Sequence, residues 1–324
     1  MRIGALFSGA GGLDLGFRQA GFDVVWANEY DRKIWETYRY NNPNTILNTE
    51  NIKNISYKDM PSNLDGIIGG PPCQSWSLAG SMRGINDERG SLFFDYIRLL
   101  KHARPKFFLV ENVKGIISKS HISEFKNILS LFDEVGYKCK YKLLNAYDYE
   151  VPQTRERVFI VGFRKDLNVN FSFPKACKNK YHLKDILVGL EDARPFEKNL
   201  NNETKIPNNE YLTGSFSPMY MSRNRRRKYS QPSFTIQAGG RHAPLHPSSP
   251  EMIQVDKDKF DFNGKFENVR RMGVRECSRA QTFPDNFIFK YKNINDAYKM
   301  IGNAVPVTLS KHIAFSIKKA LTNK

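Results

Sequence analysis

The sequence predicts an open α/β fold: a mostly parallel, Rossmann-like sheet that presents ligands at its carboxyl edge, with a second, smaller lobe attached. Three observations predict it. Short continuous apolar runs recur at residues 3–7, 24–27, 66–68 and 107–110, each too short for a helix and each suited to a strand buried on both faces. Between them, residues 13–20, 31–40 and 92–102 carry apolar side chains at helical spacing. From about Lys165 to Asn263 the periodicity fades, and Asn, Pro, Ser, Lys and Arg dominate. The expected division is a first domain over 1–164, a second over 165–270, and a return segment over 271–324 whose last helix, 307–319, docks on the first domain.

At 324 residues, 40% hydrophobic and 13% aromatic, the chain can bury one large core and carry that second lobe. Fifty Lys and Arg against 33 Asp and Glu leave a formal charge of +17, which points to a polyanionic partner. Nucleic acid comes first. A membrane surface comes second, since no run approaches the length needed to span a bilayer. The apolar start at 1–7 is interrupted by glycines and Asp14, so it reads as a strand and not a signal peptide. Cys73, Cys139, Cys177 and Cys277 lie far apart with no C-x-x-C pair, which disfavours a disulfide framework or a metal site and implies a reducing, cytoplasmic setting.

The first strand runs into Ser8-Gly-Ala-Gly-Gly12 and then a helix. This loop is either a cofactor site or an ordinary tight turn between strand and helix. Asp14 stands where the dinucleotide pattern wants a third glycine, and a carboxylate there is expected to repel a pyrophosphate. A nucleoside ligand without phosphates, such as S-adenosylmethionine, fits better than NAD or FAD. About twenty residues on, Glu29 ends the second strand where a ribose-binding acid belongs, with Tyr30 offering a flat face to an adenine, or it is a plain acid at a helix N-terminus.

The run at 66–68 stops in Gly69-Gly70-Pro71-Pro72 and presents Cys73, either a held nucleophile or a buried structural thiol. Residues 74–90, rich in Ser and Gly and including Arg83, are expected to form a lid beside it or a plain solvated connection. The strand at 107–110 delivers Glu111, which either joins the thiol at one edge of a sheet of parallel neighbours or serves as a helix-capping acid. Arg155 and Arg157, two apart, would share one face if extended, holding an anion or marking a salt-bridged strand edge. Between Tyr211 and Pro250 there is no acidic residue, yet Arg223, Arg225, Arg226, Arg227, Lys228 and Arg241 are interleaved with aromatic rings. That stretch is either where a base sequence is read or a solvated basic face.

Taken together these stretches resemble the cytosine-C5 DNA methyltransferases, from end to end and in the family's order. Phe-Ser-Gly-Ala-Gly-Gly at 7–12, Asn-Glu-Tyr at 28–30, Gly-Pro-Pro-Cys-Gln at 70–74, Glu-Asn-Val at 111–113, Gln-x-Arg-x-Arg at 153–157, Arg-Glu-Cys at 275–277 and Gly-Asn-Ala-Val-Pro at 302–306 carry the likeness. The resemblance implies an S-adenosylmethionine-dependent methyltransferase sheet with a DNA-recognition domain. It implies Cys73, Glu111, Arg155 and Arg157 as catalytic residues. Cofactor contacts would come from Phe7, Gly9, Gly11, Gly12, Glu29, Tyr30, Asn51 (where the family usually has Asp), Pro71, Asn303 and Val305. Arg83, Arg223, Arg225, Arg227 and Arg241 would meet double-stranded DNA. Met-Ser-Arg-Asn-Arg at 221–225 further resembles bacterial members that read GGCC. A monomer, a cognate restriction endonuclease and nucleoid association in a bacterium or archaeon are expected on the same ground. An RNA cytosine methyltransferase and a non-catalytic DNA-binding relative are the alternatives; the basic lobe disfavours the first, and the presence of both thiol and carboxyl the second.

Overall fold

The computed structural model describes residues 1–72, 91–197 and 206–322. Two compact units share the chain: Met1–Asn145, Glu156–Ala176 and Val307–Lys324 in the first, Ala146–Arg155 and Cys177–Pro306 in the second. Helices follow the chain as α1 (Gly12–Gln19), α2 (Arg32–Asn41), α3 (Ser91–Ala103), α4 (Ile122–Glu134), α5 (Leu183–Leu187), α6 (Val274–Ala280), α7 (Ile294–Asn303) and α8 (Val307–Thr322).

The first unit is built on a seven-stranded sheet of β1 (Arg2–Leu6), β2 (Asp23–Asn28), β3 (Ile46–Asn48), β4 (Gly66–Gly69), β5 (Phe107–Val113), β6 (Tyr137–Asn145) and β7 (Glu156–Arg164), ordered β3-β2-β1-β4-β5-β7-β6. The five strands from β3 to β5 run parallel, and β7 is antiparallel to both β5 and β6. Strand order reverses between β1 and β4, which opens a crevice at their carboxyl ends where such sheets take ligands. Ile3, Val24, Ile67, Ile68 and Phe107 to Val110 are fully buried, as continuous apolar strands between two helical layers must be. Phe108 stacks on Phe132 of α4, and the Tyr96 hydroxyl of α3 lies 3.2 Å from the carbonyls of Ile67 and Leu109, clamping helix to sheet. Helix α8 returns to lie on α1: Ser310 donates to the Leu13 carbonyl at 2.6 Å and Lys318 to that of Ala20 at 3.0 Å.

β5 extends three residues past the apolar run that predicts it. The register continues because β7 supplies a ladder, with Glu111 opposite Phe159 and Val113 opposite Arg157. Glu111 therefore stands within a strand and does not end one.

The second unit has little regular structure, in keeping with its polar composition. A hairpin of β10 (Glu251–Asp256) and β11 (Lys259–Asn263), a short pair of β8 (Arg194–Pro195) and β9 (Glu210–Tyr211), and a small cluster of Tyr220, Leu245 and Met252 organise it. Buried polar ties do much of the rest. Arg270 makes two 2.9 Å bonds to Glu276, and the buried Arg275 donates to the carbonyls of Pro207 and Phe287 at 2.8 and 3.0 Å. α6 ends at Ala280, and two residues on Thr282 takes a left-handed conformation at φ 60°.

Candidate active site

At the carboxyl edge of the first sheet Gly69 of β4 is level with Val110 of β5, so the next residues, Gly70 and Glu111, come side by side. A Cβ added at Gly70 would meet Glu111 Oε2 at 3.2 Å; a side chain there would crowd the carboxyl. The other oxygen, Oε1, is held by Arg157 Nε at 3.0 Å, with side-chain exposures of 11% for the acid and 15% for the arginine. Shielded from water on both sides, this charge-assisted contact fixes the carboxyl's rotation. Asn112 turns its amide the other way and donates to the Pro71 carbonyl at 3.0 Å in a buried bond. That bond ties down the backbone two residues before Cys73. Cys73, Arg83 and the lid expected over 74–90 lie outside the described residues.

The three described cysteines are poor candidates for a thiolate. Burial, reinforced by Asp133, pushes the Cys139 thiol up to about 12; burial raises Cys177, with Glu150 adding to it; and burial raises Cys277 strongly.

On the same edge the glycine loop opens with Phe7 at φ 53°, an unusual conformation for a bulky residue, followed by Gly9 at 55° and Gly11 at 90°. Nothing lies within 4 Å of where a Cβ on Gly9 would stand, so the loop backbone is open to a ligand. Glu29 is fixed beside it: Oε2 accepts from the Gly9 amide at 2.9 Å and Oε1 from the Asp31 amide at 2.7 Å, while the Trp35 indole donates to the Glu29 carbonyl at 2.8 Å. Tyr30 is 66% exposed and offers its ring face. Asn51 caps a short 3₁₀ turn by accepting from the Lys53 amide at 3.1 Å, and Asn28 donates to the Glu50 carbonyl at 2.9 Å. An acid for ribose hydroxyls, an exposed ring and an open glycine backbone fit an adenosyl group.

Several expectations need correction. Asp14 is fully buried and bonded to the Tyr38 hydroxyl at 2.6 Å, so it is turned into the protein and not toward an arriving phosphate. Arg155 precedes the start of β7, and the alternation that would align it with Arg157 does not reach it. It is buried in the second unit, donating to the carbonyls of Ile236 and Gly302 at 3.1 and 2.8 Å. The arginine-rich run divides by exposure. Arg225 is buried, bonded to the Tyr220 and Met219 carbonyls and lying over the Tyr220 ring, so it is spent inside its lobe. Arg227 lies half-buried over Phe234 at 4.0 Å, and Arg223 and Arg241 are exposed. Asn303 and Val305 belong to the second unit, Asn303 exposed at the end of α7 and Val305 buried. Sequence reasoning missed the clamping role of Asn112; a short amide side chain at the ligand edge of a strand was the available signal.

A Rossmann-like sheet with an adenosyl-fitting loop beside a buried carboxyl–guanidinium pair defines a methyltransferase of the S-adenosylmethionine-dependent class. The chain belongs to the family described as C-5 cytosine-specific DNA methylase, whose model matches residues 1–319. It is 54% identical over 332 residues to the Type II methyltransferase M.FnuDI of Fusobacterium nucleatum, covering 100% of this chain and 96% of that protein. It is 53% identical to M.NgoPII of Neisseria gonorrhoeae, covering 99% and 96%. Among solved structures it resembles one from E. coli described as a DNA modification methyltransferase encoded within a prophage, with TM-score 0.73, 25% identity and full coverage of both chains. The protein is an enzyme that methylates cytosine C5 in DNA using S-adenosylmethionine. Among the described residues no helix is long and apolar enough to cross a membrane.

Proposed function

We propose that the chain is the modification methylase of a Type II restriction–modification pair and that it methylates a cytosine within a short duplex site, GGCC. The observation that carries the catalytic part is the buried Glu111–Arg157 pair beside Gly70, with Asn112 holding the Pro71 carbonyl that leads to Cys73. Cytosine C5 is a poor nucleophile until a group adds at C6. Cys73 is that group, attacking as thiolate, since burial disfavours the thiolate of the other three cysteines. Glu111, ionised in its resting pair with Arg157, takes up a proton as the base enters, donates it in a hydrogen bond to N3 as charge develops there, and accepts from the exocyclic amine. Arg157 fixes Glu111 Oε1 and reaches O2 of the base. C5 then takes the methyl group, the sulfonium sulfur leaving as a neutral thioether; a base removes the C5 proton, and β-elimination releases the Cys73 thiolate. S-adenosylmethionine would be held by the 7–12 loop, Glu29, Tyr30, Asn51 and Pro71, and would supply an electrophilic sulfonium methyl.

Because C5 and C6 are hidden in a duplex, the base must leave the stack at a cost of a few kcal/mol, which phosphate and groove contacts offset. Arg223, Arg227 and Arg241 make those contacts together with Arg83, while Arg155 and Arg225 serve the packing of their lobe. The enzyme acts as a monomer in the cytoplasm, on nucleoid DNA, alongside a cognate endonuclease. Bisulfite sequencing of DNA from cells expressing the chain tests the site: protected cytosines confined to GGCC are expected. Protection at another site overturns the GGCC assignment, and no protection together with methylation of tRNA overturns the DNA role.

A further inference from the structure

One buried pair beneath the cofactor loop has no part in the chemistry above. Asp14 in the first turn of α1 and Tyr38 near the end of α2 are both fully buried and share a 2.6 Å hydrogen bond. Tyr38 forms the floor of the glycine loop: a Cβ added at Gly11 would lie 3.2 Å from its ring and 3.4 Å from the Asn42 amide nitrogen, which itself donates to the Tyr38 carbonyl at 2.9 Å. The opposite end of the same helix governs the ribose acid, for the Asp31 amide and Trp35 indole both donate to Glu29. Helix α2 thus touches both halves of the loop site, and the Asp14–Tyr38 bond is a direct link from it to the helix that Gly11 begins.

We propose that Asp14 and Tyr38 are a positioning pair: their bond fixes the spacing between the glycine loop and Glu29, and so sets affinity for S-adenosylmethionine without touching it. The inference rests on the assignment of that loop as the cofactor site. Without the bond, α1 and α2 can slide, and the Gly9 amide and Glu29 carboxylate lose their common alignment. Neither residue reaches the cytosine pocket residues Glu111 or Arg157 through any hydrogen bond described above, so the effect falls on cofactor binding and not on turnover.

Full-length Tyr38→Phe and Asp14→Ala are each expected to raise the Kd and KM for S-adenosylmethionine by about 5- to 30-fold, the loss of one buried hydrogen bond. Turnover at saturating cofactor and affinity for duplex DNA should change by less than about 2-fold. Asp14→Asn keeps an oxygen for the Tyr38 hydroxyl and restores most of the affinity, and Tyr38→Phe combined with Asp14→Ala is expected to be no worse than either alone. Glu29→Ala serves as the control for the site itself. If Glu29→Ala weakens cofactor binding while Tyr38→Phe and Asp14→Ala bind as wild type, the pair only stabilises the fold and the proposal is wrong. If none of the three moves the affinity, the loop is not the cofactor site and the pair falls with it. Should Tyr38→Phe fail to fold, the contrast between Asp14→Ala and Asp14→Asn decides: equal affinities refute the positioning role.

Discussion

Replacing Arg157 with methionine is the sharpest perturbation of the pair at the sheet edge. It keeps much of the stem and removes the guanidinium 3.0 Å from Glu111 Oε1, at a place where side-chain exposures of 15% and 11% leave little room for water to substitute. Removing one partner of a buried ion pair costs about 3–5 kcal/mol. If that loss is felt when Glu111 engages the base, it corresponds at 1.36 kcal/mol per decade to a fall in kcat/KM on the order of 10²- to 10⁴-fold. Single-turnover transfer of a labelled methyl group to duplex DNA measures it directly, and a thermal scan on the same sample separates it from unfolding. Arg157→Lys restores the charge but not the planar fork and should recover only part of the rate. In a Glu111→Gln background the methionine substitution should cost markedly less, since the two side chains act as one unit. A folded Arg157→Met enzyme retaining more than about a tenth of wild-type kcat/KM would refute this reasoning, as would full additivity with Glu111→Gln.

Asn112→Ala leaves the buried Pro71 carbonyl without its 3.0 Å donor and should lower stability by about 1–3 kcal/mol, with a loss of turnover larger than any change in KM; an unchanged kcat would show that the bond does not hold the thiol. Burial raises Asp14 from 3.8 to about 6, and a raised carboxyl destabilises the folded state as pH climbs through that window. The stability of Asp14→Asn relative to wild type should therefore rise by up to about 3 kcal/mol between pH 4 and pH 7, read by denaturant titration, and a flat difference would contradict the assigned burial. Gly16→Ala would bring a Cβ within 2.4 Å of Ser310 Cβ and 2.5 Å of the Val307 carbonyl, so α8 must shift off α1, at a cost of about 1–3 kcal/mol visible as a lower melting temperature. DNA affinity should fall steeply with salt, and Arg223→Ala should flatten the log–log slope by about 0.9 if that exposed residue meets a phosphate.

Much of the first unit was legible because its strands are buried on both faces. Residues 3–7, 24–27, 66–68 and 107–110 read as strands from apolar continuity alone, and the structure moves their ends by a residue or so, apart from β5. β5 runs on to Val113 because of a partner, β7, that joins it from far along the chain, and no local pattern reports such pairing. Arg155 and Arg157 were aligned on the assumption of one continuous strand, and the strand begins between them. Direction was the other hidden variable. Asp14 sits in the first helical turn as expected, but which way a carboxylate faces depends on Tyr38 across the next helix. Arg225 and Arg223 have the same chemistry, and only the carbonyls of Met219 and Tyr220 and the Tyr220 ring separate the buried one from the exposed one.

In the proposed reaction the sulfur of Cys73 bonds to cytosine C6. Incubating the enzyme and S-adenosylmethionine with a duplex whose target cytosine carries fluorine at C5 blocks the final elimination, and peptide mass mapping then locates any trapped nucleotide. A stable adduct on the peptide containing Cys73 is expected. No adduct, or one at Cys139, Cys177 or Cys277, would contradict it.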